Sequence, residues 1–348
     1  MKVKSVEIAR KLNISKATVS LVLNGKPGVS EETREKVFRC MEELTAEKAM
    51  NTVETTKEHL SGMLSAEKII MQIVVDNKLN IAINSEMDLW TDVYSLTEKA
   101  LKRKGYSLVL FFANNEEEIE QAVMKANDPA VAGVILTATE MREDQLKPFR
   151  KIRKPMVVYD NEFGSEYSCF VIDGVAAIRN SIDYLVERGH KNIKYLSHSD
   201  DIYNFLQRRA GFRAGLRKNN LELKQDSMIP MGRCIDEIYK NMKKYLETSN
   251  ELPDACIMEN YQVSIGVMRA FREKHIHVPD DVSLIGFDEL PSYLTGDFPL
   301  TTIKAVHRER AKVLVMFLEK EIQGKLDEKY KVLSNCTLIE GDSVKNRI

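Results

Sequence analysis

No stretch of the 348-residue sequence reaches the ~18 uninterrupted apolar residues that a bilayer crossing needs, and the opening MKVKSVEIARKL lacks an apolar run of signal-peptide length. A cytoplasmic protein without a membrane partner is expected. The five cysteines, Cys40, Cys169, Cys234, Cys256 and Cys336, are odd in number, scattered and never spaced C-x-x-C, so reduced structural thiols are expected. No G-x-G-x-x-G or G-x-x-x-x-G-K-[ST] follows any apolar strand-like run, which removes the usual cradles for dinucleotides and nucleotide phosphates. Neither is there a G-x-S-x-G nucleophile elbow. His275-x-His277 and the pair His190 and His198 have no carboxylate or cysteine at ligand spacing, so they read as surface or capping histidines. These absences argue against an enzyme, and no catalytic residue, metal or cofactor is expected.

With 43% hydrophobic and 30% charged residues, the chain can bury more than one core, and two or three folded units are expected. Its net charge of −1 is unevenly spread. Residues 1–26 hold Lys2, Lys4, Arg10, Lys11, Lys16 and Lys26 against Glu7 alone, a net charge of +5. A basic head on an acidic body points to a polyanionic partner for the head only.

Within that head, Val6, Ala9 and Leu12 recur at helical spacing, Asn13-Ile14 breaks the pattern, and Ser15 is placed to cap a second helix with Val19, Val22 and Leu23 on its apolar face. Ser15, Lys16, Ala17, Thr18, Ser20 and Leu21 then face outward or forward. Short donors and acceptors at a helix N-terminus suit base edges and phosphates in a major groove. A helical hairpin for protein contacts, in which Ser and Thr are only caps, fits the same residues. Ser30 caps a third helix carrying Thr33, Val37, Met41 and Leu44.

The stretch VEIARKLNISKATVSLVLNGKPGVSEETREKV closely resembles the DNA-binding head of the lactose-repressor/galactose-repressor family of bacterial transcription regulators. The resemblance implies that Lys16 and Ala17 select operator bases, and that Thr18, Ser20 and Asn24 meet phosphates or bases. Ser5, Ser15 and Ser30 complete the expected DNA-facing set. Leu21 departs from the family, which usually has Arg there, so the preferred operator is expected to differ from the family's usual one.

From residue 79 the pattern alternates strand and helix. LNIAIN (79–84) reads as the first strand, a helix face follows at Leu89, Val93, Leu96 and Ala100, and then come SLVLFF, a face of Ile119, Ala122, Val123 and Ala126, AGVILTA and PMVVYD. The rhythm resumes after CFVID with Val175, Ile178, Ile182 and Leu185, then NIKYLS, ACIMEN and DVSLIGFD. Such alternation predicts parallel sheets covered on both faces. LVERGHKNI, RRAGF, VPDDVSLIGFD and PLTTI resemble the same family's core, which is similar to a periplasmic sugar-binding protein. An exported binding protein would share this core but not the basic head.

The expected architecture is therefore a small all-α helix-turn-helix head (1–45), an atypical helical linker (46–78), and an α/β core (79–340) of two doubly wound parallel-sheet subdomains, periplasmic-binding-protein-like. The first subdomain is expected to hold about 79–172 and 289–320, the second about 173–288 and 321–340. In the linker, Lys48 stands where the family has a proline and Thr55 near its minor-groove leucine. Residues 45–62 read as solvated linker, and Ser65 as the cap of a helix with Ile69, Ile70, Ile73 and Val74 on one face.

The resemblance implies a homodimer on a pseudo-palindromic operator, controlled by a small-molecule effector, often a carbohydrate, bound at the C-terminal strand ends between the subdomains. Trp90, Asp160 and Arg208 match family ligand contacts, and Thr137, Asn260 and Asp288 join them as candidates. Tyr261 stands where sugar-binding members have an Asp, so the usual polyol clamp is incomplete and a non-sugar ligand or a protein partner stays open.

Overall fold

The computed structural model describes residues 5–12, 14–23, 29–30, 33, 36–37, 40, 68–77, 79, 81, 89–249, 251–290 and 298–348. These fall into two units, one within 1–67 and the other spanning 68–348.

In the first unit, α1 (Ser5–Leu12) and α2 (Lys16–Leu23) are joined by a turn closed by the Ile14 N–H on the Ala9 carbonyl at 3.0 Å. Thr33, Lys36, Val37 and Cys40 are helical. Ile8, Ala9, Val19, Val22, Val37 and Cys40 form the buried core of the unit, with Leu12, Ile14 and Val29 packed on it. Ala9, Val19, Val22 and Val37 are buried as their spacing predicted, whereas the side chains of Val6 and Leu23, and all of Met41 and Leu44, lie outside the described residues.

The second unit opens earlier than the sequence rhythm placed it. KIIMQIVV, expected as the end of a helical linker, is strand β1 (Lys68–Val75), and six consecutive residues of it are buried. Spacing of Ile69, Ile70, Ile73 and Val74 suits either structure, but β-branched side chains buried on both faces belong to a parallel strand between helical layers. LNIAIN is displaced from that role: Leu79 and Ile81 lie outside any strand, held by the Glu140 carboxylate, which accepts the backbone N–H groups of Asn77, Leu79 and Ile81. The linker reading for 46–67, with Lys48, Thr55 and Ser65, lies outside the described residues.

After β1 come α3 (Leu89–Lys102), β2 (Tyr106–Ala113), α4 (Glu116–Ala126), β3 (Val131–Thr137), β4 (Met156–Tyr159) and β5 (Ser168–Ile172). The second half runs α5 (Gly174–Glu187), β6 (Ile193–His198), α6 (Tyr203–Lys218), β7 (Met228–Gly232), α7 (Ile235–Thr248), β8 (Ala255–Met258), α8 (Tyr261–Glu273) and β9 (Ser283–Phe287). The chain closes with β10 (Thr302–Ala305), α9 (His307–Ile322), β11 (Lys331–Ser334) and β12 (Cys336–Ile339).

Two six-stranded sheets result, ordered β11-β5-β4-β3-β1-β2 and β12-β10-β9-β8-β6-β7. All pairings are parallel except β10 with β12. Each sheet is buried on both faces. Sheet one packs Ile73 and Val134 against Ala122 and Val123 of α4 on one side, and Ile70 and Val157 against Leu314 and Leu318 of α9 on the other. Sheet two buries Tyr195 and Ile257 against Ile182 and Phe212, and Leu196 and Met258 against Ile238 and Val267.

The chain passes between the sheets at residues 173, 306 and 335. This corrects the expected division of the C-terminal part, because β10 belongs to sheet two although 289–320 was assigned to the first subdomain, and β11 belongs to sheet one although 321–340 was assigned to the second. Short four-residue strands carry too little pattern to reveal which sheet edge they join.

Candidate DNA-reading helix and effector cleft

In the head unit, Ser15 precedes α2 and its Oγ accepts the Thr18 N–H at 3.0 Å while exchanging a hydrogen bond with the Thr18 hydroxyl at 2.8 Å. Ser30 repeats the arrangement with Thr33 at 3.3 and 2.8 Å. Both serines are therefore N-caps, each satisfying an amide that the helix itself cannot pair. Lys16 is exposed at the start of α2, Thr18 is half-buried, and Leu21 is half-buried further along. The side chains of Ser5, Ala17 and Ser20, and all of Asn24, lie outside the described residues.

In the second unit, one cavity of about 40 Å³ is lined from both sheets. From the first subdomain come Ile81, Thr139, Asp160, His307 and Arg310. From the second come Ile202, Asn204, Phe205, Arg208, Tyr261 and Asp288, among others. Of the residues expected here, Asp160, Arg208, Asn260, Tyr261 and Asp288 meet at this cavity. Thr137 does not. It ends β3, where its hydroxyl accepts from the Gln72 amide at 2.8 Å, and Thr139 lines the cavity in its place. Trp90 lies in the first turn of α3, but its side chain is outside the described residues.

Asp160 and Asp288 follow the last residues of β4 and β9, and both adopt left-handed backbone conformations, with φ of 69° and 68°. Asp tolerates this region better than most residues. Asp160 Oδ1 accepts from Arg310 Nη2 at 2.6 Å, and its Oδ2 accepts from the Thr139 hydroxyl at 3.2 Å. Both of its oxygens are engaged by protein donors. Burial holds the Asp288 carboxyl above its ordinary pKa, with Arg208 opposing the shift.

Arg208 is 5% exposed. Its Nη1 donates to the Glu259 carbonyl at 2.6 Å, and the guanidinium lies 3.4 Å from the centre of the Phe287 ring. Behind it, the buried Glu259 carboxylate takes Arg209 Nε at 2.8 Å and Nη2 at 2.9 Å, the Tyr195 hydroxyl at 3.2 Å and the His198 N–H at 2.7 Å. Asn260 is the N-cap of α8, its Oδ1 accepting the Val263 N–H at 3.0 Å, a role that competes with ligand contact. Tyr261 opens the helix and is buried.

Contacts across the cleft hold the rims together. Leu79 and Ile81 pack on Ile202 and Phe205, the Tyr203 hydroxyl donates to Glu162 at 2.8 Å, and Asn204 Nδ2 donates to the Asp160 carbonyl at 3.4 Å. The sequence reading missed Asn204, His307 and Arg310. A signal existed for the last: Arg310 shares the face of α9 that buries Leu314 and Leu318, so a charge interrupts an apolar stripe.

Residues 6–45 match the model of bacterial regulatory proteins of the lacI family, and residues 182–344 match that of periplasmic binding protein-like domains. The head thus carries the lacI-family signature, and the core the periplasmic-binding-protein-like fold. Among its relatives is the HTH-type transcriptional repressor PurR of Klebsiella pneumoniae, 26% identical over 346 residues that cover 97% of this chain and 96% of PurR. Solved structures with the same fold include a transcriptional regulator CelR–cellobiose complex, with a TM-score of 0.70, 21% identity and coverage of 98% and 99% of the two chains. Another is the lac repressor dimer bound to operator and the anti-inducer ONPF, with a TM-score of 0.68, 21% identity and coverage of 99% and 100%. The chain is a DNA-binding transcriptional regulator and not an enzyme. Its doubly wound sheets serve a regulatory core. Among the described residues, no helix is long and apolar enough to cross a membrane, and no group of three His, Cys, Asp or Glu could hold a metal ion.

Proposed function

We propose that the protein is a cytoplasmic repressor that binds a pseudo-palindromic operator as a homodimer through its helix-turn-helix heads and is controlled by a small metabolite in the core cleft. The observation that carries this reading is the cavity at the C-terminal strand ends, where Asp160 from sheet one and Arg208 and Asp288 from sheet two converge. A ligand touching both rims stabilises one mutual arrangement of the subdomains, and so couples its own binding to the heads. The relatives support each part separately: PurR is named a repressor, the lac repressor is a dimer on operator, and CelR holds cellobiose. Two heads tethered in a dimer multiply the weak affinity of one through effective concentration.

A polyol effector is disfavoured by two residues. Tyr261 brings a ring and one hydroxyl where a carboxylate would accept two hydroxyls, and Asp160 already spends both oxygens inside the protein. The effector is accordingly a sugar derivative or another polar metabolite.

Selection from random DNA with purified protein tests the first half. A pseudo-palindrome is expected, and Lys16→Ala changes the selected bases, whereas Thr18→Ala weakens all sites alike. Absence of any sequence preference would refute operator reading. For the second half, Arg208→Ala is expected to abolish the effector response in a gel shift while operator affinity stays nearly unchanged.

A further inference from the structure

Helix α9 starts where the chain passes from sheet two to sheet one, which brings its first turn to the cleft. Its N-cap is Val306, which offers no side-chain hydrogen bond, and among the described residues no other side chain caps the first-turn amides. A 16-residue helix therefore presents an uncapped positive end there. His307 and Arg310, three residues apart on one side of that turn, both line the cavity.

Each carries a buried polar atom without a hydrogen-bond partner among the described residues, His307 Nδ1 and Arg310 Nε. Arg310 is only 4% exposed. Its guanidinium is anchored from one side, by Nη2 on Asp160 Oδ1 at 2.6 Å and by the Tyr159 ring 4.5 Å away. That anchoring fixes the plane of the group and leaves the Nε–H unspent. An orphaned buried donor costs about 1–3 kcal/mol, and native proteins rarely keep one unless water or a ligand satisfies it. Two such atoms beside an uncapped helix end form a donor-rich corner.

The surrounding charge agrees. Arg208 enters from the opposite rim, Asp160 is already paired, and burial raises the Asp288 carboxyl above its ordinary value. An incoming anion meets an excess of donors.

Resting on the reading of this cleft as the effector site, we propose that Arg310, His307 and the first turn of α9 form a carboxylate-recognising subsite, so that the effector is a small organic acid such as an acidic sugar derivative. One ligand oxygen takes the Arg310 Nε–H. The other takes a first-turn N–H or the His307 Nδ1–H tautomer. The planar guanidinium suits an acid group in a way that a lysine ammonium cannot reproduce.

The test is thermal melting of the full chain with glucose, galactose and ribose, with the corresponding uronic and aldonic acids, and with their phosphate esters. At least one acid is expected to raise the melting temperature by several degrees where its parent sugar does not. Arg310→Met and Arg310→Lys are expected to abolish that shift, and His307→Ala to reduce it. Operator gel shifts confirm that each variant is folded, and the half-buried His307→Ala carries the test if the Arg310 variants fail to fold. A neutral sugar that stabilises wild type and Arg310→Met alike would overturn the subsite while leaving the effector cleft standing. Response to phosphate esters alone would overturn the carboxylate assignment. Absence of any response across the set would overturn the subsite and count against the effector cleft as well.

Discussion

The two rims of the cleft are built from similar residues and left in opposite states. On the second subdomain, Glu259 and Arg209 are fully engaged with each other, with Tyr195 and with backbone, and this rigid block supports Arg208 from behind. On the first, Asp160 and Arg310 also pair, but the arginine keeps one donor unspent and His307 beside it keeps another. A saturated buried network sets shape, whereas an unsaturated one sets what can enter. The asymmetry assigns structural work to one rim and recognition to the other.

The sharpest way to break that comparison is Glu259→Ala. It removes the buried acceptor of Arg209 Nε and Nη2, of the Tyr195 hydroxyl and of the His198 N–H, leaving Arg209 with Asp201 and the His198 and Asp200 carbonyls, and breaking a buried pair in this way costs about 3–5 kcal/mol. Chemical denaturation of the full chain should show a loss of this size that no small acid restores. A loss below about 1 kcal/mol, the range of exposed pairs, would mean that the second rim is not held by this network.

A smaller effect is expected from Asp160→Asn on the other rim. The amide oxygen can still accept from Arg310, so the change removes charge and leaves the geometry, at a cost of about 1–3 kcal/mol. Here the contrast with Glu259→Ala becomes informative: part of the loss should return when an acid that binds the wild type is added, because the ligand supplies the missing negative charge. If neither variant, or both, recover with the acid, the division of labour between the rims is wrong.

How much of this was legible in the sequence depended on whether a residue follows its pattern. Helix faces such as Ile119, Ala122, Val123 and Ala126 are buried where their spacing placed them. Residues 68–75 misled because Ile69, Ile70, Ile73 and Val74 satisfy helical spacing as well as a strand buried on both sides, and only the sheet decides between them. LNIAIN misled in the reverse sense, since Leu79 and Ile81 are apolar to pack on Ile202 and Phe205 across the cleft and not to pair in a sheet. Asp160, Arg208 and Tyr261 were legible through the family resemblance, which implies ligand contacts at their positions. Arg310 escaped because a charged residue on a helix is ordinarily a solvated one, and its burial depends on Asp160, 150 residues away.

The finest test of the recognition rim is the pH dependence of stability that His307 confers. Burial, with Arg310 next, pushes its pKa down to about 4 from 6.5, so the fold holds the neutral ring. Well above pH 6.5 the ring is neutral in both folded and unfolded chains and contributes no slope. As pH falls below 6.5 the unfolded chain takes up the proton first, and stability declines until the folded ring also protonates near pH 4. The slope is at most about 1.4 kcal/mol per pH unit, so the loss between pH 6.5 and 5.5 is about 1 kcal/mol. His190 and His198 are shifted in the same direction by burial, so wild type alone cannot isolate the effect. The difference between wild type and His307→Asn does, because the variant retains the other two. Denaturation midpoints across this range should fall more steeply for wild type, and parallel curves would place His307 in solvent and remove it from the donor corner.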